Sequence, residues 1–345
     1  MSVRPPRTPT LEDVARVAGV SRATVSRVIN GVRNVDEGIQ EAVREAIAAT
    51  GYAPNRAARS LVTRRAGTVA LIVSGPETAG AGFPTAVFAD PFFGRVAAGV
   101  VDYLRALHVH PLLMLADTDV ARADVVAHLR HGGADGALVV STHAHDPLPE
   151  SLVRARIPVV LFARPATPLP ISYVDLANSD GARLAAEHLL ARGRRRVATI
   201  TGPLDVPAGQ DRLTGFRDTL ARHGHPCVPV AEGDFRAAGG ERAMARLLAG
   251  HPGLDGVFAA NDLMAQGALQ VLRRQGRRVP EDVAVVGFDD SPPALACDPQ
   301  LTTVRQPIED MAAAMARILV SHIEEPDGEP TSAIFDPVLV VRASS

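Results

Sequence analysis

Along residues 10–51 the apolar positions fall on three short helical stripes. Leu11, Val14, Ala15 and Ala18 share one face behind Thr10, whose hydroxyl suits an N-cap, and Gly19 is placed to end the run in a tight turn. Ser21 opens a second stripe, Val25, Val28 and Ile29, which Asn30-Gly31 closes. A third follows Asp36, with Ile39, Val43, Ala46 and Ile47 inward and Gly51 as its C-terminal cap. Gly38 costs the first turn of that helix about 1 kcal/mol relative to alanine. Two short helices joined by a tight turn, with a third behind them, predict a helix-turn-helix module.

From Gly67 the period changes. Apolar runs at 68–73, 111–115, 137–140, 158–162, 197–200, 256–259 and 283–287 are separated by amphipathic helical stretches, the pattern of buried parallel strands in doubly wound sheets. The segment His131-Gly-Gly-Ala-Asp-Gly-Ala-Leu-Val-Val140 is echoed by His251-Pro-Gly-Leu-Asp-Gly-Val-Phe-Ala-Ala260. In each copy a strand runs into polar residues, Ser141-Thr142 and Asn261-Asp262. Two similar α/β lobes whose polar strand ends face one another would enclose a cleft, the usual ligand position of such sheets, with chance similarity of the two segments as the alternative.

The 345 residues exceed what one hydrophobic core usually serves. With 46% hydrophobic and 21% charged residues the chain is neither disordered nor a bulk polycation. No apolar run has the length of a membrane helix, and no signal core follows Arg4 and Arg7, so a cytoplasmic protein at the nucleoid, without a membrane partner, is expected. Every basic residue is arginine, which excludes Schiff-base and phosphate-loop lysines. Cys227 and Cys297 stand alone, and the pairs His108/His110, His143/His145 and His223/His225 lack companion ligands, so neither a metal nor a cofactor is expected. No GxSxG, phosphate-loop or zinc-protease motif is present, and no catalytic residue is assigned.

The net charge of −2 hides an asymmetry. Residues 1–65 hold 11 Arg against 6 acids, whereas the rest is net acidic by 7, so only the head suits a polyanion. On its second helix the positions not needed for packing are Arg22, Ala23, Ser26 and Arg27. Laid in a major groove, that helix would offer the two guanidinium forks to guanine O6/N7, the Ala23 methyl to thymine and the Ser26 hydroxyl to a base or phosphate. A solvated charged face is the alternative. Behind the head, Pro54 forces Ala53 out of helical geometry and Asn55 can cap a turn or two beginning at Arg56. So short a helix needs a template. A minor groove fits: Ala57 and Ala58 permit close approach, Arg56 and Arg59 can meet phosphates, and Leu61 can wedge between bases. Without the preceding module the same residues would read as a linker.

Thr10-Leu-Glu-Asp-Val-Ala-Arg-Val-Ala-Gly-Val-Ser21, Ala23-Thr-Val-Ser-Arg-Val-Ile-Asn30 and Gly51-Tyr-Ala-Pro-Asn55 resemble the head and hinge of the LacI/GalR (lactose-repressor) family of bacterial transcriptional regulators. The likeness continues through Asp90-Pro-Phe-Phe93, Asp211-Arg-Leu-Thr-Gly-Phe216, Ala260-Asn-Asp-Leu-Met-Ala265, Val286-Gly-Phe-Asp-Asp290 and Leu301-Thr-Thr-Val-Arg-Gln-Pro307. It implies an all-α helix-turn-helix head on an α/β core like the periplasmic binding proteins, with two doubly wound parallel-sheet lobes. The expected division is an arm at 1–9, a DNA-binding domain at 10–52, a hinge at 53–66 and an effector-binding and dimerisation domain at 67–345. Its first lobe is expected at 67–173 plus 302–330, its second at 174–301 plus 331–345.

The resemblance further implies that Arg22 and Ala23 select operator sequence, that Arg27 makes a contact common to the family, and that Leu61 acts at the centre of a palindromic operator. Arg212, Asn261 and Asp289 match positions that hydrogen-bond effector hydroxyls, and Phe235 matches an aromatic platform under a sugar ring. An ion pair capping a helix or strand end is the other reading of Arg212 and Asp289. The implied function is a repressor of carbohydrate-metabolism genes that binds double-stranded operator DNA as a homodimer under control of a small-molecule effector, a sugar. Absence of a leucine heptad after Asp336–Ser345 points to a dimer without a tetramerising tail. Two departures stand out: Ala163 occupies a position where sugar-responsive relatives often carry aspartate, and the connection from Ser74 to Phe88 is long. A transport-type sugar binder and an α/β sugar enzyme bearing a DNA-binding head are the competing classes.

Overall fold

The computed structural model describes residues 9–29, 35–52, 65–76, 82–141, 143 and 145–345. The chain divides into two units, Met1–Ala66 and Gly67–Ser345.

The head contains α1 (Leu11–Ala18), α2 (Arg22–Ile29) and α3 (Glu37–Thr50). The backbone N–H and hydroxyl of Thr10 both donate to Asp13 Oδ2, at 2.9 and 2.8 Å. Ser21 Oγ accepts from Thr24 N at 3.1 Å, and Asp36 Oδ1 accepts from Gly38 N and Ile39 N. Each helix start thus has a side chain at its orphan N–H groups or beside them. Gly19 and Gly51 end α1 and α3 at φ +68 and +64, where a Cβ would be strained. Val14, Ala15, Val25, Val43 and Ala46 close a small core, flanked by Leu11, Val28, Ile39, Ile47 and Tyr52.

The second unit holds two six-stranded sheets of matching plan. In the first the order is β11 (Ser332–Phe335), β5 (Ser172–Leu176), β4 (Val159–Phe162), β3 (Ala137–Ser141), β1 (Thr68–Ser74), β2 (His110–Ala116), all parallel. In the second it is β12 (Val338–Val340), β10 (Thr302–Arg305), β9 (Ala284–Asp289), β8 (Gly256–Ala259), β6 (Val197–Thr201), β7 (Val230–Glu232), parallel except for the β10–β12 pair. The echoed segments are β3 and β8, which occupy the same rank in the two sheets.

All three lobe boundaries differ from the expectation. The strand at 302–305, expected in the first lobe, lies in the second sheet, and the strand at 332–335, expected in the second, pairs with β5 of the first. The residues up to Leu176 likewise belong to the first sheet. The chain therefore passes between lobes at 177–178, at 306–307 and at 336–337. Polar residues conceal these strands: Asp175 inside β5, and Thr302 and Thr303 in β10, are buried but hydrogen-bonded, so their runs lack the apolar continuity that marks the other strands.

Helices cover both faces. In the first lobe these are α4 (Phe83–Ala89), α5 (Pro91–Ala106), α6 (Asp119–Arg130), α7 (Leu148–Arg154) and, late in the chain, α13 (Ile308–Glu324). In the second they are α8 (Asn178–Ala191), α9 (Pro207–Arg222), α10 (Ala237–Gly250), α11 (Asp262–Arg274) and the short α12 (Pro292–Ala296). The long connection before Asp90 holds α4, whose buried Phe83 packs with Val73 and Val87. Among the described residues no helix is long and apolar enough to cross a membrane.

Helix pairs in the second lobe meet through glycine. A Cβ at Gly267 of α11 would overlap the Ala237 carbonyl oxygen of α10, and one at Gly215 of α9 would overlap the Ser179 carbonyl of α8. Backbone cannot yield as a side-chain tip can, so overpacking outweighs the gain of about 1 kcal/mol in helix propensity. Gly267→Ala is expected to destabilise this unit by about 1–3 kcal/mol, read as a lower midpoint in urea at unchanged m-value.

Candidate functional site

The floor of the cleft between the lobes is built on Arg212. It sits in the first turns of α9, its side chain 7% exposed. Nε donates to Asn178 Oδ1 at 2.8 Å, Nη1 to the Ala260 carbonyl at 2.6 Å and Nη2 to Gln306 Oε1 at 3.0 Å. The guanidinium lies 3.7 Å from the centre of the Phe288 ring, within cation–π range, and that ring packs with the buried Phe258, which stacks in turn on Phe216. Asn178 and Gln306 lie on two of the three passages between lobes, so this one cation ties both to the end of β8. Burial lowers its pKa, opposed by Asp289, Asp175, Asp262 and Asp211.

Above it lies a cavity of about 150 Å³ whose walls come from both lobes. The first lobe contributes Asp90, Phe92, Phe93, Ser141, Phe162 and Asp175; the second contributes Asn178, Val206, Arg212, Phe235, Asn261 and Asp289. Arg212, Phe235, Asn261 and Asp289, named from the sequence, thus meet in one place. Their duties differ. Asn261 accepts from Met264 N at 2.9 Å as the N-cap of α11 and donates to the Phe235 carbonyl at 2.9 Å, holding Phe235 at φ +61. The Phe235 ring fills space that a Cβ on Gly202 would need. Asp289, at φ +110 on the end of β9, is 3.8 Å from Arg212 Nη1.

The carboxylates carry the site's electrostatics. Burial pushes Asp289 well above the usual carboxylate range; Arg212 opposes the rise, while Asp262 and Asp90 add to it. Burial likewise raises Asp90 and Asp175, against backbone N–H groups that favour the charged forms. Asp90 Oδ1 accepts from Phe92 N at 2.9 Å as the cap of α5. Asp175 accepts from Leu176 N at 2.8 Å and from Arg164 N at 3.3 Å. Three partly paired acids among aromatic faces suit a neutral ligand rich in hydroxyl donors and C–H surface. Asp175 also places a carboxylate beside Ala163, the position where relatives often carry one.

Two arginines bridge the lobes. Arg164, from the loop after β4, holds Asp211 of α9 with 2.6 and 2.7 Å contacts. Arg95 of α5 grips Glu309 through Nε and Nη2, at 2.6 and 2.7 Å, and donates to the carbonyls of Asp289 and Gln306.

In the head, Arg22, Ala23 and Arg27 are exposed on α2 and Ser26 is half-buried. Arg22 pairs with Glu12 at 2.9 Å, both side chains well exposed, so a competing phosphate or base can displace the carboxylate at little cost. The hinge residues Asn55, Arg56, Ala58 and Leu61 lie outside the described residues. The echoed segments place Ser141, with Asn261, at the polar strand ends expected to face the cleft, and both line it; sequence reasoning did not single out Phe162 or Asp175, which nothing local marks and which reach the cavity only through sheet order.

The family described as "Bacterial regulatory proteins, lacI family" matches residues 10–55, and the periplasmic binding protein-like domain matches residues 186–345. The HTH-type transcriptional regulator CelR of Thermobifida fusca is 44% identical over 342 residues, covering 98% of each chain. A solved structure of a transcriptional regulator CelR–cellobiose complex superposes with a TM-score of 0.76 at 42% identity, covering 98% of this chain and 100% of the other. The lac repressor dimer bound to operator and the anti-inducer ONPF superposes with a TM-score of 0.83 at 24% identity, over 98% and 99% of the two chains, a likeness of fold.

Removing the buried cation would strand the acceptors on Asn178, Gln306 and Ala260 and leave Asp289 without its counter-charge. Arg212→Met is expected to cost the second unit about 3–5 kcal/mol, seen as a fall of several degrees in the thermal midpoint of the full chain by circular dichroism. An unchanged midpoint would mean that Arg212 is not what ties the passages together.

Proposed function

The chain belongs to the LacI family of bacterial regulatory proteins, and from that premise we propose that this transcriptional regulator represses genes of carbohydrate metabolism, binding a palindromic operator as a homodimer and releasing it when a sugar fills the interlobe cavity. The observation that carries the reading is the cavity itself, three acids and four phenylalanines around a buried arginine, in the same chain as a basic helix-turn-helix head. Arg22, Ala23, Ser26 and Arg27 read the major groove, and Asn55, Arg56, Ala58 and Leu61 complete the interface in the minor groove. Arg212, Phe235, Asn261 and Asp289 hold the sugar, Asn261 and Arg212 through the donors that their structural bonds leave over. The protein acts in the cytoplasm, by binding rather than catalysis. Its resemblance to a cellobiose-bound regulator makes cellobiose the first sugar to test.

The mechanism is linkage. A sugar that prefers one lobe angle shifts the chain toward it, and operator affinity changes by the ratio of its affinities for the two states. The bridges Arg164–Asp211 and Arg95–Asp289/Gln306 hold the lobes in one arrangement, and their loss or retention is how the ligand's preference would reach the head.

An edge strand supports dimerisation. β2 ends the first sheet with Leu112 and Leu113 exposed by 39% and 44%, and Val101 and Leu107 of the α5 region, which packs on β2, are similarly exposed. An uncovered apolar edge is a liability that a second copy would remove.

The test is a fluorescence-anisotropy titration of duplexes selected from a random pool. Inverted repeats are expected to be recovered, and cellobiose is expected to weaken their binding; selection of no common sequence, or indifference to every sugar tried, would overturn the reading. Leu113→Arg is expected to give a monomer in sedimentation and to reduce operator affinity about 100-fold or more, the avidity lost with the second head.

A further inference from the structure

The cleft continues past the cavity that contains Arg212. A second compartment, of about 200 Å³, adjoins it, and Ser141, Phe162, Ala163 and Val206 line both. Ala163 is the smallest of the four. Its backbone lies at φ +74, a region where asparagine and aspartate are the side chains best tolerated after glycine. A methyl group therefore stands where the backbone would accept a longer polar side chain, and the partition is low at that point.

The chemistry of the two compartments differs. The inner one offers aromatic faces and buried acids. The outer one is walled by prolines, among them Pro149, Pro165 and Pro168, with Ser141, His143, Asp146, Glu150, Arg164 and Thr167 as its polar groups. Four of these are already engaged: Asp146 accepts from Ser141 Oγ and Leu148 N, Glu150 accepts from Arg154, and Arg164 holds Asp211. His143 is not. Its Nδ1 is buried without a hydrogen-bond partner, and such an atom costs about 1–3 kcal/mol until something satisfies it. A neutral hydroxyl can do so as donor or acceptor. A phosphate is disfavoured, because Asp146 and Glu150 line the same space and Asp205 also acts on the His143 ring.

We propose that the effector is a two-ring sugar whose first ring fills the cavity over Arg212 and whose second ring passes over Ala163 into the outer compartment, with a hydroxyl on His143. Ala163 is then the residue that sets the size of the effector: a longer side chain closes the passage and leaves a site for one ring. The proposal rests on the reading of the inner cavity as a sugar site, and its test separates the two.

Isothermal titration of the full chain with cellobiose, glucose and glucose 6-phosphate supplies that test, using wild type, Ala163→Asn and His143→Ala. Wild type is expected to bind cellobiose at least about tenfold more tightly than glucose, roughly 1.4 kcal/mol. Ala163→Asn, compatible with the left-handed backbone, is expected to abolish that preference, the ratio of the two affinities falling to about one. His143→Ala is expected to weaken cellobiose alone. Unaltered thermal midpoints show that both variants fold; if Ala163→Asn does not fold, His143→Ala decides. Equal binding of glucose and cellobiose by wild type, undiminished cellobiose binding by the variants, or tighter binding of glucose 6-phosphate would overturn the proposal while leaving a sugar site in place. Binding of no sugar by wild type would overturn the reading beneath it as well.

Discussion

A buried guanidinium with acceptors on separate parts of the chain is the constraint on which the second unit turns. Arg212 takes one acceptor from the passage at 177–178, one from the passage at 306–307 and one from the end of β8. Burying such a charge is unfavourable unless every strong partner is in place, so the position of each passage is fixed to within hydrogen-bond tolerance. The cavity inherits that precision. Asp289 and the Phe288 ring are adjacent residues on β9, one beside the cation and one beneath it, so the floor of the cleft and the aromatic core under it are a single packed object. The arrangement also joins the two readings of Arg212 and Asp289: the pair is structural, and it forms the surface on which a ligand would rest.

The two lobes repeat one plan and differ in what their strands end on. β3 ends at Ser141 and β8 runs into Asn261; both residues line the cavity, one from each side. Duplicated sheets put the C-terminal ends of equivalent strands face to face, which is where ligands of parallel α/β sheets bind. Divergence at those ends can alter the cavity without disturbing either core, because Ser141 is the last residue of its ladder and Asn261 lies beyond the end of β8.

Much of this was legible in the chain. The head's helices follow from stripes at helical spacing and from Thr10, Ser21, Asp36, Gly19 and Gly51 at their ends, all local signals. Seven strands announced themselves as apolar runs, six of them because both of their faces are covered; the seventh, β2, is an edge strand that keeps Leu112 and Leu113 exposed. The strands carrying Asp175 and Thr302-Thr303 did not, since burial of a polar residue is licensed by a partner that a local reading does not see: Thr303 reaches Asp262 and Thr302 reaches Arg342. The lobe boundaries near 302 and 331 were misplaced for that reason. Within the cleft, Arg212, Phe235, Asn261 and Asp289 were reached through family likeness rather than spacing, whereas Phe162 and Asp175 become neighbours only once β4 and β5 take their places in the sheet.

The last passage between lobes has a bearing on how the protein is made. The first sheet is completed by Ser332–Phe335 and covered by Ile308–Glu324, while the second receives Val338–Val340 and the buried Ser344, whose hydroxyl donates to the Val285 carbonyl and accepts from Thr302 N. During synthesis neither lobe can therefore be finished until residues 308–344 have left the ribosome. The head, whose core closes within its first fifty or so residues, can be folded long before. Nascent chains would thus present a DNA-reading surface before they possess any cleft to control it.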